Sequence, residues 1–162
     1  MISPIRHFTA TAFIVFQEGI FLHWHKKIEK WLPPGGHIDN NEDPVTAALR
    51  EVKEETGLTC EIISKFKPFS FSSPKQIIPP LVINVEDIND PREGYHQHID
   101  MIYVGYPVNS LNGLKNGWIL VDRKRLNNRV KLPVNDNFSI VPEEDVISLG
   151  LYAIGLVESR TN

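Results

Sequence analysis

Three glutamates, Glu51, Glu54 and Glu55, fall within five residues of one another in the run Arg50-Glu-Val-Lys-Glu-Glu-Thr-Gly-Leu58. On a helix, Glu51 and Glu55 form a like-charge i,i+4 pair, unfavourable by roughly 0.2–0.5 kcal/mol, and none of the three has a Lys or Arg four residues further on. Arg50 precedes Glu54 by one turn, the weaker orientation for such a pair. An oxygen-only cluster whose charge its own helix leaves unbalanced is what a hard divalent cation, Mg²⁺ or Mn²⁺, prefers. A solvated acidic face is the commoner fate of a charge run, so the surroundings of the cluster decide its meaning.

The chain around the cluster is built to make that helix. Asp43 is a good N-cap, Pro44 suits the first helical position, and Gly57 suits the C-terminal stop, which predicts a helix from Pro44 to Thr56. Val45, Leu49, Val52 and Thr56 fall on one side of it as a stripe that docks on a core, while the three glutamates fall on another. Just before it, Trp31-Leu-Pro-Pro-Gly-Gly36 combines two stiff prolines with two glycines that permit close backbone approach.

Gly36, Glu42, Arg50, Glu51, Val52, Glu54, Glu55, Gly57 and Leu58 fill the pattern G-x5-E-x7-R-E-U-x-E-E-x-G-U, with U aliphatic, at every position. The stretch resembles a complete Nudix box. The resemblance implies an α/β/α sandwich whose mixed sheet lies between the box helix, about 44–56, and a C-terminal helix, about 142–158. It also implies metal-dependent hydrolysis of the diphosphate linkage of a nucleoside diphosphate joined to another moiety. Glu54 and Glu55 would then be principal Mg²⁺ or Mn²⁺ ligands, Glu51 a ligand or the general base, and Glu42 an assisting group through a bound water. The carbonyl of Gly35 would be a further ligand, and Arg50 would orient the carboxylates. Two rival classes share the fold: a nucleotide-binding sensor without turnover, whose usual sign is erosion of the box glutamates, and an isomerase of isopentenyl diphosphate, which relies on a catalytic cysteine. All the box glutamates are present here, and the lone Cys60 lies just past the box helix.

Composition is consistent with one globular enzyme domain over residues 1–162, with 41% hydrophobic and 23% charged residues. A net charge of -3 provides no basic face for long nucleic acid, whereas a small nucleotide or other diphosphate held through metal is compatible. One cysteine forms no internal disulfide, no signal-peptide pattern opens the chain, and no apolar run approaches the roughly 20 residues that span a bilayer. The expectation is a cytoplasmic protein without a membrane partner, and a homodimer is admissible.

The remaining chain reads as strands. Phe8–Phe16 and Ile20–His25 form a hairpin across Gln17-Glu18-Gly19; Thr59–Phe66, Leu81–Ile88, Gln97–Tyr106 and Gly117–Asp122 follow. His23 and His25 share a face and are expected to be packed or exposed rather than part of the site. Phe69–Pro80 reads as a proline- and serine-rich loop, in which Phe69 and Phe71 either stack on a base or pack in the core or as anchors of the loop. Pro74 stands near a spacing that marks ADP-ribose-type members of the resembling family. His96, His98 and Asp100 alternate and so share one strand face, able to converge on a metal or a phosphate, although structural hydrogen bonding is the commoner role for such residues and a dedicated zinc site is not expected. Glu93 or Asp100 is the candidate for the additional carboxylate that the family often supplies beyond the box. Arg123–Lys131 carries five basic residues among nine, a solvated turn or a source of phosphate steering. Pro142, an acidic first turn and apolar Val146, Leu149, Ile154 and Val157 predict the C-terminal helix.

Overall fold

The computed structural model describes residues 4–92, 94–108 and 110–161. In chain order it contains β1 (Arg6–Phe16), β2 (Gly19–His25), β3 (Lys30–Leu32), β4 (Gly35–His37), α1 (Pro44–Thr56), β5 (Cys60–Ile63) and β6 (Val82–Asp90). These are followed by β7 (Gly94–Pro107), β8 (Trp118–Asp122), α2 (Arg123–Asn127), β9 (Leu132–Asn135), β10 (Phe138–Ile140) and α3 (Glu144–Thr161). The box helix spans the residues that its caps predict. Asp43 accepts from the backbone N–H groups of Val45 and Thr46, and Gly57 closes the helix at φ 79. A Cβ on Gly57 would stand 2.2 Å from the Gly113 carbonyl oxygen, so space as well as conformation selects glycine.

One strand organises the rest. β1 runs parallel to β7 from Arg6↔Gln97 to Ile14↔Gly105, antiparallel to β2 at its end, and antiparallel to the short β4 at Thr9–Thr11. β6 and β5 pair with β7, and β3 and β8 pair with β2, giving a mixed sheet. Side chains alternate across a strand, and β1 sorts them into two cores. Ala10, Ala12 and Ile14 face Ala47, Ala48 and Val52 of α1, together with Phe21 and Tyr103. Phe13 and Val15 face the other way, into a cluster with Ile20, Leu22, Ile102, Val104 and the α3 residues Val146, Ile147 and Ile154. A mixed sheet with α1 on one face and α3 on the other is the α/β/α sandwich that the sequence predicted.

Three details differ from expectation. The seam of α1 is centred on Ala47, Ala48, Val52 and Thr56, which are buried, while Val45 and Leu49 flank it half-buried; the alanines let the helix sit close against Ala10 and Ala12. α3 begins at Glu144 rather than Pro142, because the Glu143 carbonyl accepts the first helical bond, from Ile147. The basic run after Asp122 is the short helix α2 rather than a turn, capped by the Asp122 side chain at the Arg125 N–H. Among the described residues, no helix is long and apolar enough to cross a membrane.

Candidate active site

The pairing of β4 with β1 brings the glycines next to the box helix. A Cβ on Gly36 would lie 2.5 Å from Oε1 of Glu51, and one on Gly35 would lie 2.5 Å from Oγ1 of Thr11. The two glycines therefore leave the space that the Glu51 carboxylate and the β1 side chain occupy. The Gly35 N–H donates to Oε2 of Glu55 at 3.1 Å, fixing that carboxylate against the β4 backbone. The C-terminal end of α1 is held from outside by Trp118, whose indole N–H donates to the Glu55 carbonyl at 3.0 Å, and by Lys115, whose ammonium donates to the Glu54 carbonyl.

Arg50 ties the other carboxylates together. Its Nε and Nη2 donate to the two oxygens of Glu42, both at 3.0 Å; Nη1 donates to Glu51 at 2.7 Å and Glu54 at 3.3 Å; Nη2 also reaches the His37 carbonyl at 3.0 Å. The planar guanidinium meets Glu42 as a fork, a geometry lysine cannot reproduce. Its hydrogen bond holds the Glu42 carboxyl below its ordinary range, and Glu42 and Glu51 in turn raise the Arg50 pKa.

Glu55 lies outside that network. Burial pushes its carboxyl up to about 7, the Gly35 N–H works against that, and the neighbouring charges of Glu51 and Glu54 push it further. The donor set thus comprises several carboxylate oxygens beside a glycine backbone, with one member that Arg50 does not compensate. That composition fits a hard, oxygen-seeking divalent cation.

A cavity of about 390 Å³ opens beside this cluster, within the size range of small-molecule sites. Gly35, Gly36 and Glu55 form part of its wall. Other parts come from the α3-facing side of the sheet: Thr9 and Thr11 of β1, Asn84, Glu86 and Ile88 of β6, and His96, His98 and Asp100 of β7. His23 and His25 of β2, Lys27, His37 of β4, and Asp145, Val146 and Leu149 of α3 also line it. Asp100 is 5% exposed and accepts from the Thr9 hydroxyl at 2.9 Å and the Thr11 hydroxyl at 3.1 Å. Burial raises its pKa, and the two threonine bonds oppose the rise. On the strand beside it, burial pushes the Glu86 carboxyl up to about 7, with Asp100 and Asp145 adding to the shift and Lys30 opposing it.

The structure therefore brings Gly35, Glu42, Arg50, Glu51, Glu54 and Glu55 together, and places His98 and Asp100 in the adjoining cavity. Phe69 and Phe71 are elsewhere: they are 68% and 49% exposed, stack on each other with centroids 6.2 Å apart, and do not line the cavity. Their loop is closed locally by Gln76, which exchanges two hydrogen bonds with the Phe69 backbone. Glu93 lies outside the described residues. The basic run is used in ion pairs of Arg123 with Glu158 and Arg129 with Glu144. Cys60 is buried at 8% exposure beside α1, outside the cavity wall, and burial pushes its thiol up to about 12, which opposes any reading of it as a nucleophile.

Sequence reasoning passed over Glu86 and Asn84, and it set His23 and His25 aside as packed or exposed, although both line the cavity. Glu86 and Asn84 had a readable signal, since Asn84, Glu86, Ile88 and Asp90 alternate along β6 and so share a face. His23 stacks on Trp118 with centroids 4.4 Å apart, and burial, followed by the charge of His25, lowers its pKa to about 4.

The family model described as NUDIX domain matches residues 6–111. A hydrolase of the NUDIX family from Clostridium perfringens is 29% identical, its structure covering 94% of this chain and 98% of its own with a TM-score of 0.73. A probable DHNTP pyrophosphohydrolase of Lactococcus lactis is 27% identical over 103 residues, 64% of this chain and 55% of its own. An ADP-ribose pyrophosphatase of Saccharomyces cerevisiae is 58% identical over 41 residues, 25% of this chain and 17% of its own. The match thus spans about half the length of the Lactococcus relative and less of the yeast one. With the family model covering most of the chain and the sandwich and its box helix in place, the chain belongs to the Nudix family.

Proposed function

We propose that this chain, acting as a single domain over residues 1–162, is a metal-dependent hydrolase. It cleaves the diphosphate linkage of a nucleoside diphosphate joined to another moiety, by attack of water on phosphorus. The observation that carries the proposal is the meeting of Glu51 and Glu55 with the Gly35–Gly36 backbone, with Glu54 joined to Glu51 through Arg50, beside a cavity large enough for a small nucleotide. The names of relatives that act on DHNTP, ADP-ribose and dinucleoside tetraphosphates support the bond class, because these substrates have the phosphoanhydride in common.

Glu54 and Glu55 would hold Mg²⁺ or Mn²⁺ with the Gly35 carbonyl, and Glu42 would assist through a water. When bound, such a cation polarises phosphoryl oxygens and lowers the pKa of a water. Glu51 would be a further ligand or would take the proton of the attacking water. Arg50 keeps Glu42, Glu51 and Glu54 in one arrangement through its fork, a positioning role. Asp100 and His98, in the cavity wall, are better placed than Phe69 and Phe71 to contact the moiety beyond the diphosphate. A cytoplasmic setting agrees with the free, buried Cys60.

The test is release of phosphate from nucleoside triphosphates, nucleotide sugars, ADP-ribose and dinucleoside polyphosphates with Mg²⁺ or Mn²⁺, coupled to alkaline phosphatase or pyrophosphatase. Wild type is compared with Glu54→Gln. Metal-dependent turnover of one substrate that the variant loses is the expected result. Silence across the panel, with nucleotide binding intact, would identify a sensor instead.

A further inference from the structure

We propose that His7, His96 and His98 form a second cation site, selective for a borderline transition metal such as Zn²⁺ and separate from the glutamate cluster. Three strand positions create it. His7 and His98 are direct partners in the parallel ladder of β1 and β7, and His96 lies two residues before His98 on the same face. One nitrogen from each ring lies within 4.8 Å of the others. Tetrahedral zinc with Zn–N bonds of about 2.0–2.1 Å places its ligand nitrogens about 3.4 Å apart. The Nε2 atoms of His96 and His98 are already 3.2 Å apart in a hydrogen bond that needs one ring hydrogen between them, so two adjustments remain: rotation of the His7 ring, and a shift of the His98 ring hydrogen from Nε2 to Nδ1.

The hydrogen bonds orient the rings for ligation. Nδ1 of the buried His96 lies 3.0 Å from the Gly94 carbonyl oxygen. A carbonyl only accepts, so Nδ1 carries the hydrogen and Nε2 presents its lone pair towards His98. Nδ1 of His7 lies 3.3 Å from Nε2 of His37, and when it donates there, His7 Nε2 is likewise left to ligate. Anchoring the second ring nitrogen in this way fixes both tautomer and ring angle in metal-bound histidines. His37 is thus a positioning residue, its ring centroid 5.3 Å from His7 and 5.0 Å from His98.

Asp100, which the sequence grouped with these histidines, is tied to Thr9 and Thr11 instead. The site is therefore all nitrogen, and imidazole suits Zn²⁺, Cu²⁺ and Ni²⁺ where carboxylates suit Mg²⁺ and Mn²⁺. His37, His96 and His98 line the same cavity as Glu55. A cation held there would add positive charge to a wall otherwise rich in carboxylates.

The experiment uses the full chain carrying Glu54→Gln and Glu55→Gln, so that the box lacks its two principal carboxylate ligands and the outcome is independent of the hydrolytic reading. Chelator-treated protein is titrated with Co²⁺, read by its ligand-field absorption, and the Co²⁺ is then displaced with Zn²⁺. The expected result is one equivalent bound, with His7→Gln and His98→Gln each weakening it by about tenfold or more, while their melting curves in chelator match the parent. Zn²⁺ should also shift the ring-nitrogen resonances of His7, His96 and His98 in ¹⁵N-histidine-labelled protein, a readout that needs no substitution. Absence of binding at micromolar Co²⁺ and Zn²⁺, or binding that survives His7→Gln and His98→Gln together, would overturn the site.

Discussion

Two groups of acids, one beside this molecule's cavity and one in its wall, are treated in opposite ways. Glu42, Glu51 and Glu54 share Arg50, and its hydrogen bond holds Glu42 below its ordinary range. Glu55, Glu86 and Asp100 have no such arginine, and burial raises all three. The difference teaches that the fold gives the first group a positive charge, whereas in the second it gives Glu55 and Asp100 only neutral hydrogen-bond donors. Under the proposed function a cation would complement Glu55, and a hydrogen-bond donor on the substrate would complement Glu86.

The largest expected effect falls where the two groups meet. Glu55→Gln or Glu54→Gln should lower the hydrolytic rate by at least about two orders of magnitude without unfolding the chain; near-full activity in both variants, measured by phosphate release at saturating metal, would remove the metal platform. Arg50→Lys keeps the charge and loses the fork. It should weaken metal affinity or activity by about tenfold to a hundredfold, read from the Mn²⁺ dependence of the rate, and an unchanged Mn²⁺ dependence would mean that the carboxylates align without it.

On the uncompensated side, Glu86 provides a pH signature. Its folded pKa is about 7 against an ordinary 4.5, so the folded state holds the proton more tightly than the unfolded one. Its unfavourable contribution is absent below pH 4.5, grows as pH rises through that window and is complete above about 7. Urea midpoints taken across the window should fall with rising pH in wild type and fall less in Glu86→Gln; parallel curves would show that the Glu86 carboxylate is already compensated. The smallest effect is expected outside both groups. Phe71→Ala should change stability by no more than about 0.5 kcal/mol and leave the substrate KM in place, and a large KM rise would return that loop to the site.

What the sequence made legible follows the range of the interactions. The limits of α1 depend on Asp43, Pro44 and Gly57, all within a few residues of the helix ends, and these local signals were sufficient. The box glutamates were legible for the same reason, since their spacing along one helix settles which of them are neighbours. The cavity was not. His7 and His98 are 91 residues apart and meet only through the parallel pairing of β1 with β7, which no local pattern encodes. Glu86 joins Asp100 through the β6–β7 ladder, where Asn84 is the direct partner of Asp100 and Glu86 of His98. Phe69 and Phe71 illustrate a choice that local sequence leaves open: aromatic residues in a long loop suit a binding role or an anchoring one, and here a glutamine and their own stacking favour anchoring.

β1 also constrains how this protein can change over generations. Thr9 and Thr11 hold Asp100 at the cavity while Ala10 and Ala12 seat the box helix on the opposite side. Loss or gain of one residue within this strand would exchange its two faces, turning the threonines towards the helix and the alanines towards the cavity. Helix seating and cavity lining would be disturbed in one step, so β1 should accept substitution more readily than a change of length. The Phe69–Pro80 loop carries no such double duty, and a change of length should be easier to accept there.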